Sequence, residues 1–413
     1  MVLRAYKVEL DPNDRQRTDF LRHSGAVRFI YNWGLATIKQ DYETKKAQTP
    51  PGEKVKNTIC PLDLSAKLPT MKAGGFPWLK NVTAQSLQQA LHHLDAAYQG
   101  FFRRVKAGKT PGYPHFKKRG VSRNSFQFPQ NVVVTNTHVK LPKIGQVRLA
   151  RHGYIPTDLT PKTTTISERA GRWFVTVLME VGELPKVVPT GGVLGIDLGI
   201  KTLVVLSEGT VYENPKHLER TQRKLTHLQR KLARQQKGSN RRARTKARIA
   251  KVHARIANQR ADSIHKMTSE IVKTKRPTAI VIEDLNVSGM TKNHSLARSV
   301  SSASFGEIRR QLTYKTEWYG VQLVVADRFF PSSKTCSKCG AVKDKLSLGD
   351  RTFVCESCGH TQDRDLNASM NLRSWGVAFL AGGTPATARG GDVRPEAIQA
   401  NSVETRTDLR IAS

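Results

Sequence analysis

At 413 residues the chain is long enough for two or three domains, and at 38% hydrophobic it can bury a core. Its 68 Lys and Arg against 33 Asp and Glu give a formal charge of +35, which fits a polyanionic partner, nucleic acid before a membrane surface. No apolar run is long enough to span a bilayer, no apolar signal region follows Met1, and the five cysteines fall as two close pairs and a singleton, Cys60. A membrane protein and a secreted disulfide scaffold are set aside, and a cytoplasmic chain with a metal-binding thiol set is expected.

Residues 1–10 alternate as a strand through Val2, Leu3, Tyr6, Val8 and Leu10. Asp11-Pro12-Asn13-Asp14 reads as a helix start, with the helix running to about Arg22. Ser24 is placed to cap a second helix that carries Val27, Ile30, Tyr31, Leu35 and Ile38. Two short helices about a turn fit a helix-turn-helix and equally any small bundle. Residues 45–80, rich in Pro, Lys and Gly, read as loop. From Ala84 an amphipathic helix puts Leu87, Leu91, Leu94, Tyr98, Phe101, Phe102 and Val105 on one face, which is expected to pack into a core. Lys106 to Arg119 is basic and broken by Gly and Pro; it suits a phosphate backbone, with Tyr113 and Phe116 as stacking partners. Short strands follow at 126–128, 132–135, 139–141, 146–149, 163–166 and 173–178. With the first strand they predict a small β-barrel, 1–10 and 121–185, carrying residues 11–120 as a helical insert. Leu184 to Gly192 reads as a linker.

In the second half an apolar strand, 193–198, carries a single acid, Asp197, with Gly195 and Gly199 on either side. Strands at 202–207 and 210–213 follow, joined at Glu208-Gly209. Another apolar strand, 279–285, ends on Glu283-Asp284, and Asp363-Arg-Asp365 opens a helix. A lone carboxylate in a buried strand is costly unless neutralised, and the usual neutraliser is a divalent cation shared by several carboxylates. Two strand acids and one helix acid are the layout of a ribonuclease-H-like nuclease, whose acids converge on two ions about 3.5–4 Å apart.

Between Lys216 and Arg260, sixteen Lys or Arg stand against one acid, Glu219. Leu225, Leu228 and Leu232 form one apolar stripe, Ile249, Val252 and Ile256 another, and Lys237-Gly-Ser-Asn240 breaks them, so a helical hairpin is predicted. A solvated face normally mixes charge signs, and this one does not. Arg241, Arg242, Arg244, Lys246 and Arg248 are therefore candidate nucleic-acid contacts. Residues 288–304 read as a polar loop, followed by a helix through Ile308, Leu312, Lys315 and Trp318 and a strand at 321–325. The tail, 381–413, has no apolar period and is expected to be disordered.

Cys336-Ser-Lys-Cys339 and Cys355-Glu-Ser-Cys358, fifteen residues apart, have the spacing of a four-thiolate zinc ribbon. Gly340 and Gly359 follow the pairs and free the tight turns around the ion. Four thiolates leave no open position, so the zinc is structural, and binding of this kind contributes about 10–16 kcal/mol in small zinc domains. The ribbon is expected to fix the crossing that delivers the acids of the last helix.

Gly195-Ile-Asp197-Leu-Gly-Ile-Lys201, Ile282-Glu283-Asp-Leu-Asn286, the two Cys-x2-Cys pairs and Asp363-Arg-Asp365-x-Asn367-Ala together resemble the TnpB family, transposon-encoded proteins also labelled OrfB-type transposases and related to type V CRISPR effector nucleases. Residues 304–320 and 330–336 are similar to that family's linking segments, and the likeness runs from residue 1 to about 375. The resemblance implies a RuvC-like nuclease domain at 191–330 and 360–380, the zinc ribbon at 331–359 inserted in it, and a wedge-like barrel with a helical recognition domain ahead of it. It implies Asp197, Glu283 and Asp365 as catalytic acids holding two Mg²⁺ ions, with Asp363 supporting, and Cys336, Cys339, Cys355 and Cys358 as zinc ligands. Implied too are a guide RNA from the transposon end and a double-stranded DNA target cut beside a short flanking motif, by a monomer in a prokaryotic cytoplasm, at the nucleoid when bound. Ser302 departs from the acid expected in its segment, outside the trio. One rival, a transposase acting directly on element ends, would share the trio. A second, a silent RNA-guided regulator, would be signalled by loss of an acid, and all three are present. A third is a zinc-stabilised RNA-binding structural protein.

Overall fold

Strand β1 (Val2–Asp11) buries Tyr6, Val8 and Leu10 and leads into α1 (Asp14–Gln48). The structure, a computed structural model, describes residues 2–382 apart from 54, 56, 57, 185 and 348; the expected disorder of the tail falls, from 383 on, outside the described residues. The chain divides into two compact units at Glu183 and Leu184.

In the first unit α1 starts on a capping box. Asn13 Oδ1 accepts from the Gln16 N–H at 2.9 Å and Gln16 Oε1 from the Asn13 N–H at 3.1 Å. The helix does not break at Ser24 as the sequence predicts. Phe20, Ser24, Val27, Tyr31, Leu35 and Ile38 are buried along one unbroken stripe. Burying that stripe outweighs the roughly 1 kcal/mol that a helical Gly25 costs. The expected loop at 45–80 contains α2 (Leu68–Ala73) between 3-10 turns at Asp63–Lys67 and Pro77–Asn81, held by buried Leu64, Leu68 and Leu79. Helix α3 (Ala84–Lys106) packs on α1 where Gly34 leaves room: a Cβ there would lie 3.0 Å from both the Leu91 and Leu94 side chains. Its apolar face is buried only as far as Tyr98; Phe102 is 60% exposed and Val105 50%, contrary to the expected core packing.

Six further strands follow: β2 (Ser125–Phe128), β3 (Val133–Val134), β4 (His138–Leu141), β5 (Gly145–Leu149), β6 (Pro161–Arg169) and β7 (Arg172–Val181). With β1 they form a seven-stranded antiparallel sheet in the order β2-β6-β7-β1-β5-β4-β3. The first strand therefore joins the later ones, as its alternation predicts, with Val8 opposite Val175 and Leu10 opposite Trp173. The order has two ends, β2 and β3, so hydrogen bonding does not close the barrel expected from the sequence.

The second unit begins with an antiparallel run, β8 (Gly191–Leu198), β9 (Thr202–Leu206) and β10 (Val211–Glu213). Helices α4 (His217–Ala233) and α5 (Asn240–Ser269) form the predicted hairpin and lead to β11 (Pro277–Glu283). Two helices, α6 (Val287–Met290) and α7 (His294–Ala303), occupy the expected polar loop, because Val300 and Ala303 reach the core. Next come α8 (Phe305–Tyr319) and β12 (Gln322–Ala326), the β13 (Thr352–Val354) and β14 (Thr361–Asp363) hairpin, and α9 (Arg364–Leu380). The five-stranded sheet runs β10-β9-β8-β11-β12, with β8, β11 and β12 parallel.

Side-chain parity divides this sheet into two faces. Leu194, Ile196, Ile280 and Ile282 point into a core shared with α5 and α8 through Ile264, Ile308 and Leu312. Val193 and Val281 point the other way, against Leu372 and Trp375 of α9. Asp197 and Glu283 have the parity of Val193 and Val281, so they stand on the face that α9 covers.

Candidate active site and metal centre

Strands β8 and β11 pair in parallel with Gly195 opposite Val281 and Ile196 opposite Ile282. The next residues along are Asp197 and Glu283, side by side at the carboxyl ends of adjacent strands. Helix α9 crosses this face very closely. A Cβ on Gly195 would lie 2.0 Å from Ser369 O and 2.6 Å from Arg373 N, and one on Gly376 would lie 2.2 Å from Val281 Cγ2. Only glycine at both positions lets the helix sit this low. Asp365, one turn before Ser369, then falls at the strand ends, where its Oδ2 would lie 3.9 Å from a Cβ on Gly199.

Asp363 is the N-cap of α9, its Oδ1 accepting from the N–H groups of Asp365 and Leu366, both at 3.0 Å. That occupation leaves Asp365 as the acid of the first turn that faces the sheet. Arg364 pairs with the Asp365 carboxylate at 3.2 Å. Asp284 is drawn off by Arg309, at 2.6 Å, and by Arg328. Although burial pushes its pKa up, these two guanidiniums hold Asp284 below the usual carboxylate range. Of the Glu283-Asp284 pair, the glutamate faces α9.

Burial first, and then the charges of Glu283 and Asp365, push the Asp197 carboxyl well above the usual range, against the Arg364 charge and the Leu198 N–H. Burial also raises Glu283, against a hydrogen bond from the Ser332 hydroxyl. Asp197 therefore feels Glu283 and Asp365 across a partly buried corner. This donor set, hard oxygens of like charge in low dielectric, fits a divalent cation. Among the described residues it is not a set whose ligand atoms all lie within 4.8 Å of one another; only the four cysteines are. A wider trio is compatible with two ions about 3.5–4 Å apart.

The cysteines fit a zinc ion closely. Cys336 and Cys358 sulfurs are 3.7 Å apart, and those of Cys339 and Cys355 3.6 Å. Tetrahedral zinc with Zn–S near 2.3 Å requires about 3.8 Å between sulfurs. Gly340 and Gly359 adopt φ of 77° and 69°, and their N–H groups donate to Cys336 O and Cys355 O at 2.9 and 3.0 Å. These are the turns the sequence predicted.

On the basic hairpin, Leu225, Leu228 and Ile256 are buried between α4 and α5, while Arg241, Arg244, Lys246 and Arg248 are exposed. Arg242 is engaged elsewhere: its guanidinium donates to Gln235 O at 2.9 Å and to Leu232 O, tying the carbonyl end of α4 to the start of α5. The sequence reading did not single out Ser332 or Asn371, both buried near the acids, and named Asn367 only as part of a motif. The spacing of Asn367 and Asn371, poor helix formers four residues apart, marked one helix face as polar but named no partner, and nothing marked Ser332.

Residues 176–294 match the family described as "Probable transposase", 305–372 the Cas12f1-like TNB domain and 1–47 a "Helix-turn-helix domain", although α1 runs here without a break. A Streptomyces pristinaespiralis protein with the name "Putative RNA-guided DNA endonuclease" is 38% identical over 401 residues, 96% of this chain and 93% of that one. InsQ of Escherichia coli (strain K12), with the same description, is 34% identical over 92% of this chain and 94% of its own. TnpB-like protein L79 of Acanthamoeba polyphaga mimivirus shares 33% identity over 28% of this chain and 22% of its own. The solved mini-RNA-guided endonuclease CRISPR-Cas_phi3 aligns over 90% of this chain and 92% of that one at 12% identity and a TM-score of 0.48, too low to weigh. Sequence identity sustained at this level along nearly the whole length shows that the chain belongs to the TnpB family.

Proposed function

We propose that the chain is an RNA-guided, Mg²⁺-dependent DNA endonuclease of an insertion sequence, cutting a target duplex beside a short flanking motif and so linked to transposition. The observation that carries this reading is the convergence of Asp197, Glu283 and Asp365 at one corner of the five-stranded sheet. The near full-length relatives named as RNA-guided DNA endonucleases support it. Asp197, Glu283 and Asp365 would hold two Mg²⁺ ions, which supply charge stabilisation at a phosphodiester and an activated water. The side chains themselves do no bond-making. They would hold the ions, while Arg364 offsets part of the corner's negative charge. The four cysteines would hold a structural zinc, and the exposed face of α5 would track a phosphate backbone.

The test is to purify the chain, sequence the RNA that accompanies it, and offer a duplex matched to that RNA with and without Mg²⁺. Mg²⁺-dependent cuts that move when the guide is rewritten are expected, and Asp197→Ala should abolish them while guide and target binding persist. Joining of labelled element ends without a guide would instead indicate a transposase.

A further inference from the structure

A chain of buried and half-buried polar groups runs from the first cysteine knuckle, past the start of the helix that carries Asp365, to Glu283. Ser337, next to Cys336, donates its N–H to Asn367 Oδ1 at 2.9 Å, and Asn367 Nδ2 donates to Thr335 O at 2.7 Å. One turn further along α9, Asn371 Nδ2 donates to the same Thr335 O at 2.6 Å and to Ser332 O at 2.7 Å. Ser332 in turn donates its hydroxyl to the Glu283 carboxylate. Ser332, Asn367 and Asn371 are buried, and their partners Thr335, Ser337 and Glu283 are half-buried, so the bonds are shielded on one side from water and costly to break.

The geometry has a direction. Asn367 stands two residues after Asp365 and clamps the start of α9 to the knuckle. Ser332, at the other end of the same loop, reaches a different element, the tip of β11. A clamp serving only to glue α9 to the ribbon would end at Thr335 and Ser337. The bond to Glu283 makes no such contribution; its effect is to orient a carboxylate. Groups of this kind, which hold a ligand's second oxygen, commonly change metal affinity by about 10–100-fold when removed.

We propose that Ser332, Asn367 and Asn371 are positioning residues that couple the four-cysteine site to the acid corner, so that zinc and the divalent cation each strengthen the other's binding. Coupling of this sort is reciprocal. The inference rests on the acid corner being a cation site, as proposed above.

Mn²⁺ titration of the zinc-loaded full-length chain, followed by the electron paramagnetic resonance signal of free Mn²⁺, tests it alongside zinc content. Ser332→Ala is expected to weaken Mn²⁺ about 10-fold or more with zinc content unchanged. Ser332→Thr, which keeps the hydroxyl, should restore most of the affinity. Stripping zinc from the wild-type chain should weaken Mn²⁺ as well, and weaken it less in Ser332→Ala, where the link is already cut. Wild-type titration by Ser332→Ala overturns the coupling, provided Asp197→Ala has lost Mn²⁺ binding. Should Asp197→Ala bind Mn²⁺ as the wild type does, the cation reading itself fails, and the coupling with it.

Discussion

Asp197 concentrates the energetic cost of the site. Its carboxyl is held well above the usual range by burial and by Glu283 and Asp365. A carboxyl raised in the folded state binds protons there that the unfolded chain has released, so it costs stability once pH passes its unfolded value, and the cost grows until the folded pKa is passed. Asp197→Asn should therefore raise the Tm of the Mg²⁺-free, zinc-replete protein, by about 2–4 °C for each kcal/mol recovered. The gap over wild type should widen from acid toward neutral pH, and added Mg²⁺ should narrow it. A gap that is constant with pH, read by thermal denaturation, would contradict this account of the corner. At this scale the sequence displayed the acids, since an acid in an apolar strand is conspicuous, and the cysteines, since their spacing is specific. Ser332 and Asn371 were not legible. A serine or asparagine has no spacing that predicts a partner in another element, and theirs are made only when the loop at 332–337 folds onto α9.

Helix α9 is the element on which the corner depends, and its placement is set by two glycines. Gly195→Ala puts a Cβ 2.0 Å from Ser369 O, a backbone atom that cannot rotate away. We expect at least the roughly 1–3 kcal/mol of an overpacked core, measured by urea denaturation, together with weakened Mn²⁺ binding as Asp365 is lifted. Unchanged stability would mean that α9 sits higher than described. That β8 and β11 are strands was readable from their apolar runs; the shared parity of Asp197 and Glu283 was not, because both faces of each strand are apolar and the register is set by pairing. The break expected at Ser24-Gly25 was overridden: the buried stripe from Phe20 to Ile38 runs straight through it. Helix α7 was missed because its core-facing residues, Val300 and Ala303, are too few to make a period. On the hairpin the exposed and the engaged arginines should separate. Arg242→Ala removes the tie to α4 and should lower stability with little effect on salt dependence.

Over the whole molecule the charge of +35 makes polyanion binding the dominant expectation, and the hairpin is where it is densest. Neutralising Arg241, Arg244, Lys246 and Arg248 together should flatten the salt dependence of duplex binding by about 0.9 log units for each phosphate that no longer meets a cation. An unchanged slope would assign this face to solvent. Among the described residues no helix is long and apolar enough to cross a membrane. Composition indicated a partner class but could not locate it, because charge density says nothing of which cations are already tied up, as Arg242 is. Strands and helices were legible where apolar periods change from two to three or four residues; closure of the first sheet was not, since edge pairing depends on partners far apart in the chain. The most direct test of the central claim is anomalous diffraction from crystals grown in Mn²⁺. Two manganese peaks bounded by Asp197, Glu283 and Asp365, with zinc at the four cysteines, are the predicted result; a filled cysteine site beside an acid corner that holds no manganese would contradict it.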